Sequence, residues 1–140
     1  MNSYHQGQKL PTLKFEVKSM AVIAGTIAVL DFFPALIERE YAMSVGHEHI
    51  FMNTPLLLTL MDRYVLDWSG PAARIKSHGL VMRKPVYAGT TVDIDGTVTA
   101  IRPFAGSSLA GSGTEVEVAL SITHEGEQRT KGSVTIVLPK

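Results

Sequence analysis

The sequence predicts an α+β protein in which a curved antiparallel sheet wraps around one central helix. Two observations carry this. Residues 54–68 form a run in which Leu56, Leu57, Leu58, Leu60, Met61, Tyr64, Val65, Leu66 and Trp68 leave only a narrow polar stripe of Thr59, Asp62, Arg63 and Asp67. A helix apolar around most of its circumference is buried on most sides. The chain after it reads as long strands, and helix followed by a run of strands is the order of an α+β fold.

The elements follow in order. Residues 12–18 alternate, with Leu13, Phe15 and Val17 against Lys14, Glu16 and Lys18, the period of a half-buried strand. Residues 20–30 are apolar around Gly25 and Thr26, and period alone leaves strand and short helix open there. Pro34 disfavours helix at Phe33, which predicts a bend after Asp31. Residues 37–45 predict a short helix stopped by Gly46, and residues 47–52 a short extended segment. For the central helix, Thr54 is the expected N-cap and Pro55 the first helical residue, with Ser69, Gly70 and Pro71 ending it. Strands are expected at 75–83, 91–101, 115–123 and 129–138, with a tight turn at His124, Glu125, Gly126 and Glu127. Pro85 marks an edge or bulge. Residues 103–113, rich in Gly, Ser and Ala, read as a mobile connection.

At 140 residues and 15.2 kDa the chain has the length of one domain, expected to span 10–140 after a loose polar stretch at 1–9. Hydrophobic residues make up 45% and charged residues 19%, which argues against disorder. Thirteen basic and thirteen acidic residues cancel, so the chain has no electrostatic footprint for nucleic acid or an anionic membrane. A formal charge of zero also favours self-association. The absence of cysteine excludes disulfides, thiolate nucleophiles and cysteine metal sites. The first residues carry no charged segment leading into an apolar one, and no apolar run approaches the ~20 residues of a membrane span. A cytoplasmic protein is the expectation.

Three stretches resemble the MaoC-like group of the hotdog fold, a curved antiparallel sheet around a central helix. Asp31-Phe32-Phe33-Pro34-Ala35-Leu36 stands where that family has Asp-x-Asn-Pro-x-His. Asp67-Trp68-Ser69-Gly70-Pro71 follows the central helix, and Arg83-Lys84-Pro85-Val86-Tyr87-Ala88-Gly89-Thr90-Thr91 is similar to a Pro-Val-x-x-Gly-Asp-Thr strand entry. With Ile50-Phe51-Met52-Asn53, these look most like the small MaoC-type subunits of heteromeric enoyl-CoA hydratases in actinobacterial steroid side-chain degradation.

The resemblance implies a chemistry. In that family an Asp and a His position or activate a water that adds to a trans-enoyl thioester, while amides at the start of the central helix polarise the thioester carbonyl. Such a hydration needs an acid/base at the water and stabilisation of an enolate oxygen. Carried over residue by residue, Asp31 matches the family aspartate and is the expected catalytic residue. The His position is Leu36, which transfers no proton, and the Asn position is Phe33. The expected oxyanion donors are the amides of Asn53, Thr54 and Leu56, because Pro55 has none. Beside Asp31, the apolar Phe32, Phe33 and Leu36, with Leu57 and Met61 on the helix, are the expected substrate-binding residues. Burial among those apolar neighbours would disfavour the charged carboxylate.

Each residue also has a plainer reading. Asp31 could be an exposed bend residue or a cap. His47 and His49 would face one way in an extended segment; either is a possible acid/base that could reach Asp31 in place of the missing His, or a loop histidine. Two histidines with no third ligand in view do not make a metal site, and none is expected. His78 reads as an edge or core residue before a pocket residue. Residues 106–113 lack the Gly-Lys-Ser/Thr ending of a phosphate loop and precede a strand.

The expected ligand is a hydrophobic steroid- or polyketide-like molecule or an acyl-CoA or acyl-carrier thioester, with no cofactor. Two functions stay open. In one, the chain is a lyase-type enzyme with Asp31 as lone acid/base, turned to elimination, isomerisation or cyclisation. In the other, it is a non-catalytic hotdog subunit that stabilises a catalytic MaoC partner. A thioesterase is a weaker third. The expected assembly is a homodimer or a heteromer with a second MaoC-type chain, since an isolated unit leaves a sheet edge unpaired.

Overall fold

A computed structural model describes residues 4–106 and 111–139. It contains β1 (Leu13–Glu16), α1 (Ser19–Ala28), a 3₁₀ turn (Pro34–Leu36), α2 (Arg39–Ser44), α3 (Thr54–Ser69), β2 (Arg74–Met82), β3 (Thr91–Ala105), β4 (Ser112–His124) and β5 (Glu127–Pro139). The strands form one antiparallel sheet in the order β1-β3-β4-β5-β2. This is the expected sheet wrapped around a helix.

The core lies between α3 and the sheet. Leu57, Met61 and Val65, spaced four apart on α3, are each fully buried. They share a core with Ile94, Val118, Ile122, Val134 and Ile136 from the inward positions of β3, β4 and β5. Each such side chain contributes about 1.5–3 kcal/mol on burial. Gly132 on β5 lets the helix come this close, because a Cβ there would lie 3.0 Å from Met61 Sδ and 2.5 Å from the Gly79 carbonyl oxygen.

The apolar run left open by its period is helix α1. Val22 and Thr26, four apart, face inward, and Gly25 admits the Leu56 side chain of α3. The expected bend at Pro34 closes as a 3₁₀ turn, with the Leu36 and Ile37 amides donating to Phe33 and Pro34. The turn at Glu125 and Gly126 has both residues at positive φ (50° and 77°), as a two-residue hairpin requires.

Several expectations need correction. The cap of α3 is Asn53, not Thr54: Asn53 Oδ1 accepts the Leu56 amide at 3.1 Å, so Thr54 and Pro55 fill the first turn. Asn is at least as good a cap as Thr, and Pro fits the first turn, where amides lack partners anyway. Strand pairing also runs further than read, with Pro103, Phe104 and Ala105 facing Thr114, Gly113 and Ser112. Of the expected mobile connection only residues 107–110 lie outside the described residues. Residues 4–9 make specific contacts with the fold. The Gly7 amide donates to Val98, the Val98 amide donates to Gln8, and Tyr4 packs edge-on against Trp68; residues 1–3 lie outside the described residues.

Candidate active site

Asp31 is positioned by the end of α1. Leu30 takes a left-handed conformation (φ 56°), and the Asp31 amide donates back to the Thr26 carbonyl at 3.0 Å. The carboxylate then bridges two elements. Oδ1 accepts the Phe33 amide at 3.3 Å, and Oδ2 accepts Asn53 Nδ2 at 3.1 Å. Asn53 is buried, and its other side-chain atom caps α3. One amide side chain thus ties the bend to the first turn of the central helix, with the bond to the carboxylate charge-assisted.

The neighbours of Asp31 differ from expectation. Phe32 is 63% and Phe33 49% exposed, so neither encloses the carboxylate within this chain, and Asp31 itself is half-buried. Pro34 turns the backbone immediately after them, which sends both rings outward, where Phe33 meets the Tyr41 ring edge-on. Leu36 is buried, 3% exposed. Leu57 and Met61 point into the closed core. An apolar cavity of about 130 Å³ opens instead on another face of α3, between Phe15, Val22, Met52, Leu56 and Leu60, with Arg63 at its rim. Of the apolar stripe on α3, Leu56 and Leu60 line this cavity, beside Gly25, where α1 crosses α3.

Neither candidate histidine hydrogen-bonds Asp31. His47 Nδ1 lies 3.2 Å from the Tyr87 hydroxyl, and its ring packs 4.5 Å from Phe51. His49 Nδ1 accepts the Ile50 amide at 2.8 Å. Burial, reinforced by the nearby Arg39 charge, pushes the His49 pKa below its ordinary value. With Nδ1 accepting, its proton sits on Nε2, and taking up a second proton costs the bond from the Ile50 amide. The pair of histidines therefore splits, one to a tyrosine and one to the backbone. His78 meets Asp62 of α3 at 2.8 Å, away from this site. Among the described residues no group of three His, Cys, Asp or Glu is placed to hold a metal ion.

At the start of α3 the Leu56 amide is taken by the cap, which removes it from the expected oxyanion donors. The amides of Asn53 and Thr54 find no acceptor among the described residues and carry the positive end of the helix dipole. The site therefore holds one carboxylate and, at the start of α3, two amides without an acceptor among the described residues.

No family model matches the chain. The 3-oxo-4,17-pregnadiene-20-carboxyl-CoA hydratase beta subunit of Mycobacterium tuberculosis is 39% identical over 95 residues, which cover 68% of this chain and 74% of that protein. A chain of the ChsH1-ChsH2 complex from Mycobacterium tuberculosis superposes with a TM-score of 0.83 and 29% identity, over 97% of this chain and 99% of that one. The (R)-hydratase from A. caviae involved in PHA biosynthesis shares the fold, with a TM-score of 0.83 at 21% identity over 99% of this chain and 100% of that one. No helix among the described residues is long and apolar enough to cross a membrane.

Proposed function

The chain belongs to the MaoC-like hotdog family, a lineage of hydratases and dehydratases, and we propose that it is one subunit of a heteromeric hydratase or dehydratase for a bulky apolar acyl thioester. In this reading the complete acid/base pair sits in a second MaoC-type chain. One observation carries the proposal: among the described residues no acid or base hydrogen-bonds the Asp31 carboxylate, whose partners are the Phe33 amide and Asn53 Nδ2. The position of the family His is Leu36, which is buried, and both candidate replacements are engaged elsewhere. Addition of water across an enoyl thioester puts oxygen on the β-carbon and a proton on the α-carbon, so a water-activating base and a proton donor must both be at hand.

The names of the relatives support the subunit reading. The Mycobacterium relative is a beta subunit of a hydratase for a steroid carboxyl-CoA, and the structural relative is part of a two-chain complex. The exposed Phe32 and Phe33 supply apolar surface for a polycyclic acyl group. The place of action in this reading is the cytoplasm.

The test is co-expression with a MaoC-type chain that carries Asp-x-Asn-Pro-x-His. The pair hydrates enoyl-CoA, and replacing the partner's motif His abolishes turnover while Asp31→Asn leaves most of it. Loss of all turnover in Asp31→Asn, with binding intact, supports instead the lone-base reading. That second reading has its own support, since Asp31 is half-exposed and held in one orientation by Asn53. A single oriented carboxylate serves proton transfer in elimination, isomerisation or cyclisation.

A further inference from the structure

α1 and α3 touch at one point and part beside it. At Gly25 the Leu56 side chain fills the crossing so closely that a Cβ would lie 2.8 Å from its Cδ1. One turn earlier on the same face of α1 stands Ala21, whose small side chain leaves the space towards β1 unfilled. The cavity of about 130 Å³ results, walled by Phe15 of β1, Val22 of α1, Met52, and Leu56 and Leu60 of α3. Neither Asp31 nor Asn53 lines it.

Two properties decide what such a cavity holds. Its side chains offer water little, since the one hydroxyl, of Thr59, already donates to the Pro55 carbonyl at 2.9 Å. An apolar cavity without hydrogen-bond partners stays dry, and one of roughly 150 Å³ accepts a benzene ring. An empty cavity forfeits dispersion contacts that an apolar guest restores. The mouth, by contrast, carries a cation, the exposed Arg63. Asp67 Oδ2 stands 3.5 Å from its Nε, and its guanidinium forms no hydrogen bond among the described residues. Glu16, next to Phe15 on β1, alternates to the far side of the strand and pairs with Lys18. We propose that this cavity binds a small carboxylate with an apolar body of about five carbons. The body lies between α1, α3 and β1, and the carboxylate meets the planar fork of Arg63 at the rim.

The probe is hexanoate, titrated against the full chain by calorimetry and by the rise in thermal midpoint that a ligand of the folded state produces. Acetate, with the charge but not the body, and hexanol, with the body but not the charge, are the controls. Hexanoate is expected to bind about tenfold or more tightly than acetate, because its extra methylenes leave water. Arg63→Gln is expected to weaken hexanoate about threefold, the effect of an exposed ion pair, and to leave hexanol unchanged. Ala21→Phe plugs the cavity from an exposed position, where a larger side chain leaves the core untouched, and is expected to remove both ligands. Hexanoate that binds no tighter than acetate, or that binds Ala21→Phe undiminished, overturns the proposal. So does an Arg63→Gln chain that loses hexanoate and hexanol equally, or neither.

Discussion

Asn53 holds Asp31 to the first turn of α3. Its Nδ2 donates to Asp31 Oδ2 at 3.1 Å while its Oδ1 accepts the Leu56 amide at 3.1 Å. A single side chain thus fixes the orientation of the site's carboxylate and caps the buried helix. Asn53→Ala removes both bonds and leaves the Leu56 amide short of an acceptor. The expected loss is about 1–2 kcal/mol of stability, read from the urea midpoint at unchanged slope. Asn53→Asp keeps the cap but sets a second carboxylate against Asp31, and its stability is expected to fall more steeply with rising pH than that of the unaltered chain.

His49 makes the fold sensitive to mild acid. Its folded pKa lies below the ordinary value of 6.5, because burial and Arg39 disfavour the imidazolium. The unfolded chain therefore takes up the proton first as pH falls. Stability is intact above the unfolded pKa and declines as pH drops from there towards the folded pKa. Protonation also turns the acceptor of the Ile50 amide into a donor. His49→Asn is expected to flatten this decline, measured as thermal midpoint against pH between about 7 and 5; an unchanged slope contradicts the assignment.

The two close helix contacts at glycine respond differently to a methyl group. At Gly132 a Cβ meets the Gly79 carbonyl oxygen at 2.5 Å, and backbone cannot move aside cheaply. Gly132→Ala is expected to cost about 1–3 kcal/mol, the range of overpacked cores. At Gly25 the obstruction is the end of the Leu56 side chain at 2.8 Å, which can rotate. Helix propensity returns roughly 0.5–1 kcal/mol there, so Gly25→Ala stays near neutral. Equal losses at both positions contradict the packing account.

Restoring the family's motif residue does not restore its chemistry in this account. Leu36 is buried, so Leu36→His puts an imidazole into apolar packing. A loss of about 2 kcal/mol or more is expected, with no gain in crotonyl-CoA hydration by the isolated chain. A clear rise in hydration shows that this position opens onto the site.

The fold was legible because its signals are long. The apolar girth of α3 and the strict alternation of Val116, Val118, Leu120 and Ile122 leave one arrangement, and all four of these residues are buried. Element ends were less legible, since Asn53, Thr54 and Pro55 all suit a helix start and only tertiary contact chooses among them. That contact is the Asp31 carboxylate, 22 positions away in sequence. The site was half legible. Asp31 announces itself as an acid after an apolar run. The direction in which Phe32, Phe33, Leu57 and Met61 point depends on the 3₁₀ turn and on which face of α3 meets the sheet. Composition fixes neither.

The most direct measurement is the turnover of the isolated chain on an enoyl-CoA, first crotonyl-CoA and then the coenzyme A ester of a steroid enoic acid. Without a second acid/base group the isolated chain is expected to run ~10²–10⁴-fold below the co-expressed pair, the loss typical of a missing proton-transfer partner. Turnover by the isolated chain at the rate of the pair contradicts the account and places a complete catalytic constellation within this one subunit.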